Sequence, residues 1–302
     1  MEVFYTPKTK TNLSLALGFF DGIHSGHKKV IENAVNYAKK NNLRSAVVSF
    51  VEHPACFLLN RNPEYIIDLN DKIKKIEKLG VDYLYLLNFD KNLSEISKEE
   101  YFEFLCNLTS PKSITTGFNH FFGKDKQGDT NFLNEICKIK NINYTKIEPV
   151  KINNEIVSSS KIRHAIMNAD FKTSKSMLDY DFYIKGVVIK GRQIGRQIGF
   201  NTININYPEK IIKIPYGVYC SIVEIDNKIY KAVTNWGVKP TITGENLPVV
   251  EAHLLNFNEN IYGKNVKISF LTKIRNEKKF DTLNDLKNQI EKDVEFCKTY
   301  IA

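Results

Sequence analysis

The hydrophobic and polar positions in the first half of the chain follow two alternating periods. Short apolar runs such as LSLALGFF at 13–20 and RSAVVSFV at 44–51 are typical of buried β-strands. Between them lie stretches of helical period, such as HKKVIENAVNYAKK at 27–40. This alternation predicts an α/β domain with a parallel sheet covered by helices on both faces. Ligands of such sheets bind beyond the carboxyl ends of the strands.

From about residue 182 the pattern changes to many short alternating segments separated by Gly, Pro, Asn and Asp turns. Segments such as GVYCSIVEI at 217–225 and NVKISFL at 265–271 follow one another without helices. This predicts an all-β part, a small antiparallel barrel or sandwich. One amphipathic helix follows at 282–300, with Asp281 or Thr282 as its N-cap. We therefore expect two domains, residues 1–181 and 182–302.

The composition fits a globular protein and excludes a disordered one. The chain has 302 residues, of which 42% are hydrophobic and 25% charged, enough for two domains with their own cores. Its apolar runs fall short of a membrane span, and its N-terminus lacks a signal-peptide pattern. We expect a cytoplasmic protein with no membrane partner. The five scattered cysteines form no C-x-x-C pair and are expected to be reduced thiols.

The net charge of +9 suits anionic partners such as nucleotides but does not choose among them. The lysines are spread along the chain and are not gathered into a basic stripe with interleaved aromatic residues. A solvated lysine-rich surface explains this distribution, and no nucleic-acid partner is expected. No prediction of oligomeric state follows from the sequence.

The segment GFFDGIHSGH at 18–27 has the order strand, tight turn and helix. It places His24 and His27 three residues apart at the N-terminus of a helix, where free N–H groups and the helix dipole favour a phosphate. Gly26 leaves no side chain in the way of a triphosphate. An isolated H-x-x-H is often incidental, but this order of elements favours a functional site.

At these residues the sequence resembles a known family. H-x-G-H is the motif of the nucleotidyltransferase superfamily, and GFFDGIHSGH is similar to the adenylyltransferase half of bacterial bifunctional riboflavin kinases/FAD synthetases. SFVEHP at 49–54, TGFNHFFGKDKQGD at 116–129 and VSSSKIR at 157–163 resemble further blocks of that family in the same order. The resemblance implies a Rossmann-like nucleotidyltransferase fold and the transfer of AMP from ATP to FMN.

The resemblance also implies roles for individual residues. His24, His27 and Arg163 are the expected catalytic residues, and His53 and Asn119 are expected in the flavin pocket. A run of serines before a helix is usually only a cap, but its pairing with an upstream H-x-G-H favours phosphate binding. The residues expected to bind the nucleotide are Gly18, Phe20, Asp21, Gly26, Ser158, Ser159 and Ser160.

A second motif, GVVIKGRQIGRQIGFNTIN at 186–204, opens the β-rich half. A glycine-rich hairpin is a weak signal on its own. This one resembles the opening of riboflavin kinases, and PYGVYCSIVE, NWGVKPT, VEAHLLNF and KIRNEKKF resemble later blocks. The resemblance implies a nucleotide loop with Gly191, Gly195 and Arg196, a catalytic base at Glu251 and a flavin contact at Arg275.

Thr202 and Asn204 occupy alternate positions of a predicted strand, project to one side and offer two hard oxygen ligands for Mg²⁺. The family's P-T-A-N reads Asn201-Thr202-Ile203-Asn204 here, so the proline that stiffens the loop is missing. The rigidity of the ATP loop is therefore an open question.

The main hypothesis is a bifunctional enzyme that uses ATP to convert riboflavin into FMN and FMN into FAD. The alternative is an FMN adenylyltransferase whose kinase half serves only as a flavin-binding or structural module, and which makes no FAD from riboflavin. A third hypothesis is a nucleic-acid-binding or regulatory protein, because H-x-G-H also resembles the signature of class I aminoacyl-tRNA synthetases. The sequence shows no K-M-S-K-S motif or anticodon-binding region in its support.

Overall fold

The computed structural model describes residues 1–60, 62, 64–191, 199–240 and 246–300. Its contacts divide the chain into two compact units, Met1–Ser159 and Ser160–Ala302, called the first and the second unit below. Within the described ranges, no helix combines the length and the apolar character that crossing a membrane requires.

The first unit is built on a six-stranded sheet whose paired strands all run parallel. In chain order the strands are β1 (Glu2–Phe4), β2 (Leu13–Leu17), β3 (Arg44–Phe50), β4 (Tyr83–Leu87), β5 (Ser113–Gly117) and β6 (Asn143–Ile147). Their order in the sheet is β1-β4-β3-β2-β5-β6. From β2 the chain builds outwards through β3 and β4 on one side and later through β5 and β6 on the other. The order therefore reverses between β2 and β5, which is where open parallel sheets bind ligands.

Helices cover both faces of this sheet, since all five residues of β2 are buried. The leucines of β2 pack with α5 and α6, and α1 packs on β2, β3 and β5. The helices are α1 (Ser25–Lys40), α2 (Pro54–Leu58), α3 (Leu69–Lys78), α4 (Lys91–Glu95), α5 (Lys98–Thr109) and α6 (Thr130–Ile139). A small hairpin of β7 (Lys151–Ile152) and β8 (Glu155–Ile156) precedes the second unit.

Two helices, α7 (Ser159–Met167) and α8 (Phe171–Leu178), follow this hairpin. The Phe171 ring of α8 lies 5.8 Å from that of Phe270 and 6.4 Å from that of Phe182, both in the second unit. This aromatic packing explains why α8 groups with the β-rich part. The boundary expected near residue 181 lies after these helices, and as a division between functional domains it stays a prediction.

The second unit is a nearly closed antiparallel barrel. Its strands are β9 (Tyr183–Val187), β10 (Ile203–Ile205), β11 (Gly217–Ile225), β12 (Lys228–Pro240), β13 (Asn246–Leu254) and β14 (Asn265–Arg275), in the order β10-β13-β12-β11-β14-β9. A bridge between Ile189 and Asn204 joins the two ends of this order. Asp226 and Asn227, with φ of 48° and 64°, make the two-residue hairpin between β11 and β12.

The final helix, α9 (Leu283–Thr299), begins at the N-cap Thr282, one of the two caps expected from the sequence. It packs against β11 and β12, where the buried Cys297 lies in one apolar cluster with Cys220 and Val233. The predicted fold is confirmed: a parallel α/β half, an antiparallel barrel and a C-terminal helix.

Candidate active sites

The turn between β2 and α1, residues 18–24, reverses the chain at the carboxyl end of the central strand. Phe20, Gly22 and Ile23 have φ of 59°, 81° and 44°, in the left-handed region. A Cβ at Gly18 would stand 2.8 Å from a ring carbon of Phe20, so glycine lets this ring fold back over the strand end. The β2–α1 turn thereby delivers the chain directly into α1.

The two histidines stack on each other where α1 begins. His24 is the N-cap, and its Nδ1 accepts a hydrogen bond from the backbone N–H of His27 at 3.2 Å. The ring centroids are 3.5 Å apart, with 19° between the planes. A Cβ at Gly26 would stand 3.2 Å from two atoms of the His24 ring, so glycine allows this capping geometry. Because Nδ1 accepts, neutral His24 carries its proton on Nε2, which makes Nε2 a donor.

Two further contacts hold the β2–α1 turn. Asp21 is 3% exposed, and its carboxylate accepts the backbone N–H of Ile66 at 3.1 and 3.2 Å. The hydroxyl of Ser159 donates to the backbone carbonyl of Asp21 at 3.2 Å. The structure thus brings the first residue of α7 to the turn that carries the histidines.

The other residues expected from VSSSKIR lie around the start of α7. Ser158 precedes the helix and is partly buried, Ser160 is exposed, and Arg163 lies one turn along the helix with its side chain partly buried. Their binding to ATP phosphates stays a prediction.

His53 and Asn119 follow the carboxyl ends of β3 and β5, the two neighbours of β2. The His53 ring meets the Phe19 ring edge-on at 4.7 Å, and its Nδ1 caps α2 by accepting the N–H of Ala55 at 3.0 Å. Asn119 is exposed, and a Cβ at Gly117 would lie 3.6 Å from its side-chain oxygen. Both residues therefore lie at the carboxyl ends of the strands, one on each side of β2.

In the second unit, Asn204 of β10 and Thr202 just before it both adjoin Glu251 of β13. The Thr202 hydroxyl donates to Oε1 of Glu251 at 2.7 Å, and Asn204 is the register partner of Glu251. Asn204 is 5% exposed, and a Cβ at Gly191 would overlap its side-chain amide. Glycine at 191 therefore allows the backbone of this residue to lie against the Asn204 side chain.

The segment before Thr202 is held by two hydrogen bonds, although it lacks the expected proline. The side-chain amide of Asn201 donates to Oδ1 of Asn258 at 2.7 Å, and the carbonyl of Asn201 accepts from Nδ1 of His253 at 2.7 Å. Asn201, Thr202 and Asn258 also line a cavity of about 250 Å³. Asn201 is therefore tied to two residues that lie far from it in the sequence.

Two family models match the chain, one in each half. The FAD synthetase model matches residues 6–161 and the riboflavin kinase model matches residues 178–301. The bifunctional riboflavin kinase/FMN adenylyltransferase of Bacillus subtilis (strain 168) is 34% identical over 293 residues, covering 95% of this chain and 92% of that protein. The protein of the same name from Haemophilus influenzae is 35% identical over 290 residues, covering 95% and 94%. This chain belongs to the family of bifunctional riboflavin kinases/FMN adenylyltransferases.

One solved structure is similar to this chain over the full length of both. The crystal structure of a macrolide-efflux protein from Streptococcus pneumoniae has a TM-score of 0.90 and 28% identity, with 100% of both chains covered. The predicted family and the prediction of a bifunctional flavin enzyme are confirmed by the two family models and these relatives. They do not favour the alternative with a single working half.

In this family member Arg275 holds the final helix. Its guanidinium donates to both carboxylate oxygens of Asp293, with the shortest contact at 2.8 Å, and to the carbonyl of Asn276 at 3.2 Å. Asp293 is 2% exposed, so the pair anchors α9 to the end of β14. The expected flavin contact of Arg275 stays a prediction. Gly195 and Arg196, expected in the nucleotide loop, lie outside the described residues.

Sequence reasoning missed a carboxylate near Glu251. Glu251 is in register with Asn235 of β12, whose side-chain amide donates to Glu277 at 3.4 Å. A Cβ at Gly237 would overlap the Glu277 carboxylate, so the glycine of NWGVKPT makes room for it. The signal was present in the sequence as a glycine inside a long strand.

A buried lysine in the first unit was also missed. Lys72 of α3 is 4% exposed, and its ammonium donates to the carbonyls of Phe19 and Phe50 and to the hydroxyl of Ser49 at 3.0–3.1 Å. Burial lowers the pKa of Lys72 to about 8, and the charge of Asp21 opposes this shift. In DKIKKIEK it resembles its solvated neighbours, but it lies one helical turn before the buried Ile76 and so on the buried face.

Proposed function

We propose that this chain phosphorylates riboflavin to FMN and adenylylates FMN to FAD, with ATP as the donor in both reactions. The observation that carries the proposal is that the residues expected at the centre of each reaction lie against one another. His24 stacks on His27 in the first unit, and Thr202 and Asn204 adjoin Glu251 in the second.

In the first unit a phosphate oxygen of FMN attacks the α-phosphorus of ATP. A new P–O bond forms while the bond from the α-phosphorus to the bridging oxygen breaks, and pyrophosphate leaves. The free N–H groups of α1, with Nε2 of His24 and the ring of His27, stabilise the negative charge that develops on the phosphates. Arg163 pairs with the β- and γ-phosphates, Ser158–Ser160 supply further donors, and His53 and Asn119 line the flavin pocket.

In the second unit Glu251 accepts the proton of the riboflavin 5′-hydroxyl. The hydroxyl oxygen bonds to the γ-phosphorus while the bond from the γ-phosphorus to the β,γ-bridging oxygen breaks, and ADP leaves. The hydrogen bond from Thr202 fixes Oε1 of this carboxylate. Gly191, Gly195 and Arg196 hold the nucleotide, and Arg275 borders the flavin.

Mg²⁺ is the metal ion of this proposal. The hydroxyl oxygen of Thr202 and the amide oxygen of Asn204 are hard ligands of the kind that Mg²⁺ prefers. Asn204 is buried against Gly191, and the oxygen donors of the two residues fit the ion. When bound, Mg²⁺ neutralises charge on the phosphates.

We place these reactions in the cytoplasm, with ATP, riboflavin, FMN and FAD as the partners and no nucleic acid or membrane among them. The exclusion of a nucleic acid is supported by the lysines, which are spread along the sequence and form no basic stripe that a polyanion would bind.

The test incubates the purified protein with ATP and Mg²⁺ plus either riboflavin or FMN, and separates the flavins by chromatography. We expect FAD from both substrates, with FMN as an intermediate from riboflavin. FAD from FMN alone would establish the alternative with a silent kinase half, and no flavin product from either substrate would refute the proposal.

A further inference from the structure

The most deeply buried cation described in the first unit lies directly beneath the predicted adenylyltransferase site. Lys72 is 4% exposed and reaches three acceptors, the carbonyls of Phe19 and Phe50 and the hydroxyl of Ser49. Phe19 lies within the β2–α1 turn, and Ser49 and Phe50 end β3. One ammonium group therefore joins the ends of two adjacent strands at the edge where ligands bind.

From this geometry we propose that Lys72 is a positioning residue for FMN adenylylation, which sets the β2–α1 turn and the Phe19 ring for the reacting groups. This inference rests on the proposed function of the first unit. It adds a residue that acts from below the site and touches neither substrate.

The backbone contact fixes the turn. The carbonyl of Phe19 receives two donors, the ammonium of Lys72 at 3.0 Å and the hydroxyl of Ser49 at 3.0 Å, and Ser49 itself accepts from Lys72 at 3.1 Å. This triangle holds the Phe19 peptide five residues before His24. A displacement of the peptide would be carried into the cap of α1, where the histidines stack.

The side-chain contact fixes a wall of the flavin pocket. The ammonium of Lys72 lies 4.1 Å from the centre of the Phe19 ring, a cation–π distance. The Phe19 ring in turn meets His53 edge-on at 4.7 Å and lies 5.7 Å from the Tyr65 ring. Lys72 therefore orients the residues expected to border the flavin.

Burial of a lysine is costly, which argues against a purely structural role. Moving an ammonium out of water costs free energy that hydrogen bonds and an opposite charge only partly return, and apolar residues fill such places at lower cost. The lowered pKa of Lys72 shows that this cost is not fully offset here, even with the charge of Asp21 nearby. Such a costly buried charge, when it lies beneath a reaction site, is expected to orient that site.

The test compares Lys72→Met and Lys72→Gln with a matched control, Asp82→Asn. Asp82 also ties β3 to a neighbouring segment, through the hydroxyl and N–H of Ser45 and the guanidinium of Arg44 at 2.8 Å, but at the opposite, amino edge of the sheet. Its loss perturbs the fold without touching the β2–α1 turn. Phosphorylation of riboflavin by the second unit of the same protein reports whether each variant is intact.

In Lys72→Met we expect kcat for FAD formation from FMN to fall about tenfold or more, with the Km for ATP changed less than about threefold. The decrease in kcat is expected to be smaller in Lys72→Gln, because glutamine keeps a hydrogen-bond donor. Asp82→Asn and the kinase reaction of all variants are expected to stay within about twofold of wild type.

The inference is overturned if Lys72→Met retains its kcat, if Asp82→Asn loses as much FAD formation at an equal loss of thermal stability, or if both Lys72 variants lose both reactions together. Wild-type protein that forms no FAD from FMN would instead refute the proposed function, which keeps the two failures apart.

Discussion

At the residue scale, the two sites use side chains that each do more than one thing. The His24 ring caps α1 through Nδ1 and stacks on His27, and the Thr202 hydroxyl, a proposed metal ligand, donates to Glu251. Glycines at 18, 26 and 191 leave room for the side chains of Phe20, His24 and Asn204 by omitting a Cβ. A substitution at such a residue therefore affects geometry and chemistry together.

Removing the ring of His27 should separate the two reactions. His27→Ala removes the stacked partner of His24 and a group proposed to stabilise the phosphates, so we expect kcat/Km for FAD formation to fall about 100-fold or more. Riboflavin phosphorylation should be unchanged. Steady-state assays of each step measure this, with the exposed His164→Ala as the matched control. Equal rates of FAD formation in the two variants would contradict the role of His27.

The lowered pKa of Lys72 makes the stability of the first unit depend on pH. The folded state holds this proton with a pKa of about 8 and the unfolded chain with about 10.5, so between these values the unfolded state binds more protons. Stability must then rise with pH in this range, by up to about 3 kcal/mol, and the penalty is fully present below pH 8.

Calorimetric unfolding of the wild type and of Lys72→Met from pH 7 to 10.5 measures this dependence. As the pH rises, the free energy of unfolding of the wild type should increase relative to that of Lys72→Met. Parallel curves for the two proteins would show that Lys72 is not the group responsible.

At the scale of elements, the sequence predicted the kinds of element better than the contacts between them. The runs LSLAL and RSAVVSF became β2 and β3 because their apolar character is local, and Thr282 caps α9 as expected. The hydrogen-bond partners of Lys72 and Asn201 were not predictable, because they lie more than 20 residues away in the sequence. Lys72 looks like a solvated lysine until α3 is placed against β3.

The segment before β10 gives a prediction for the kinase half. Since Asn201 is held by Asn258, Asn258→Ala should loosen the residues that carry Thr202 and lower kcat/Km for riboflavin phosphorylation about fivefold, as expected for one hydrogen bond. FAD formation from FMN should not change.

Adding Asn201→Pro to Asn258→Ala should restore the rate, because a proline limits the same backbone without a partner. Kinetics of both variants with riboflavin test this. An unchanged rate in Asn258→Ala alone would show that the hydrogen bond does not position the site.

The anchoring of α9 gives a second prediction at this scale. Asp293→Ala leaves the partly buried guanidinium of Arg275 unpaired, and we expect the second unit to lose about 2 kcal/mol. Trp236, the one tryptophan of the sequence, is 2% exposed in this unit, so its fluorescence follows the unfolding in urea. The exposed Glu291→Ala, two residues away on α9, is the control and should unfold as the wild type does.

At the scale of the whole molecule, each predicted set of reacting residues is confined to one half of the chain, apart from Arg163 and Ser160 at the start of the second unit. A substitution confined to His27 or to Glu251 should therefore leave the other reaction running.

A mixture of two defective proteins should therefore make FAD from riboflavin. Glu251→Gln removes the proposed base of the kinase reaction, and His27→Ala removes a proposed catalytic residue of adenylylation, so neither variant alone should complete both steps. Together they should form FAD after a lag while FMN accumulates in solution, as chromatography over time would show. Single variants at twice the concentration are the control, and the absence of FAD from the mixture would mean that FMN does not pass between separate molecules.

The strand order of the first unit also bears on the biosynthesis of the chain itself. β2, near the start, lies between β3 and a strand made about 100 residues later, so the pocket at its end cannot form before β5 has left the ribosome. The barrel can form only later in synthesis, because β9 pairs with β14, which lies near the end of the chain. On a growing polypeptide the unit that consumes FMN is thus completed before the unit that produces it, in the reverse order of the two reactions.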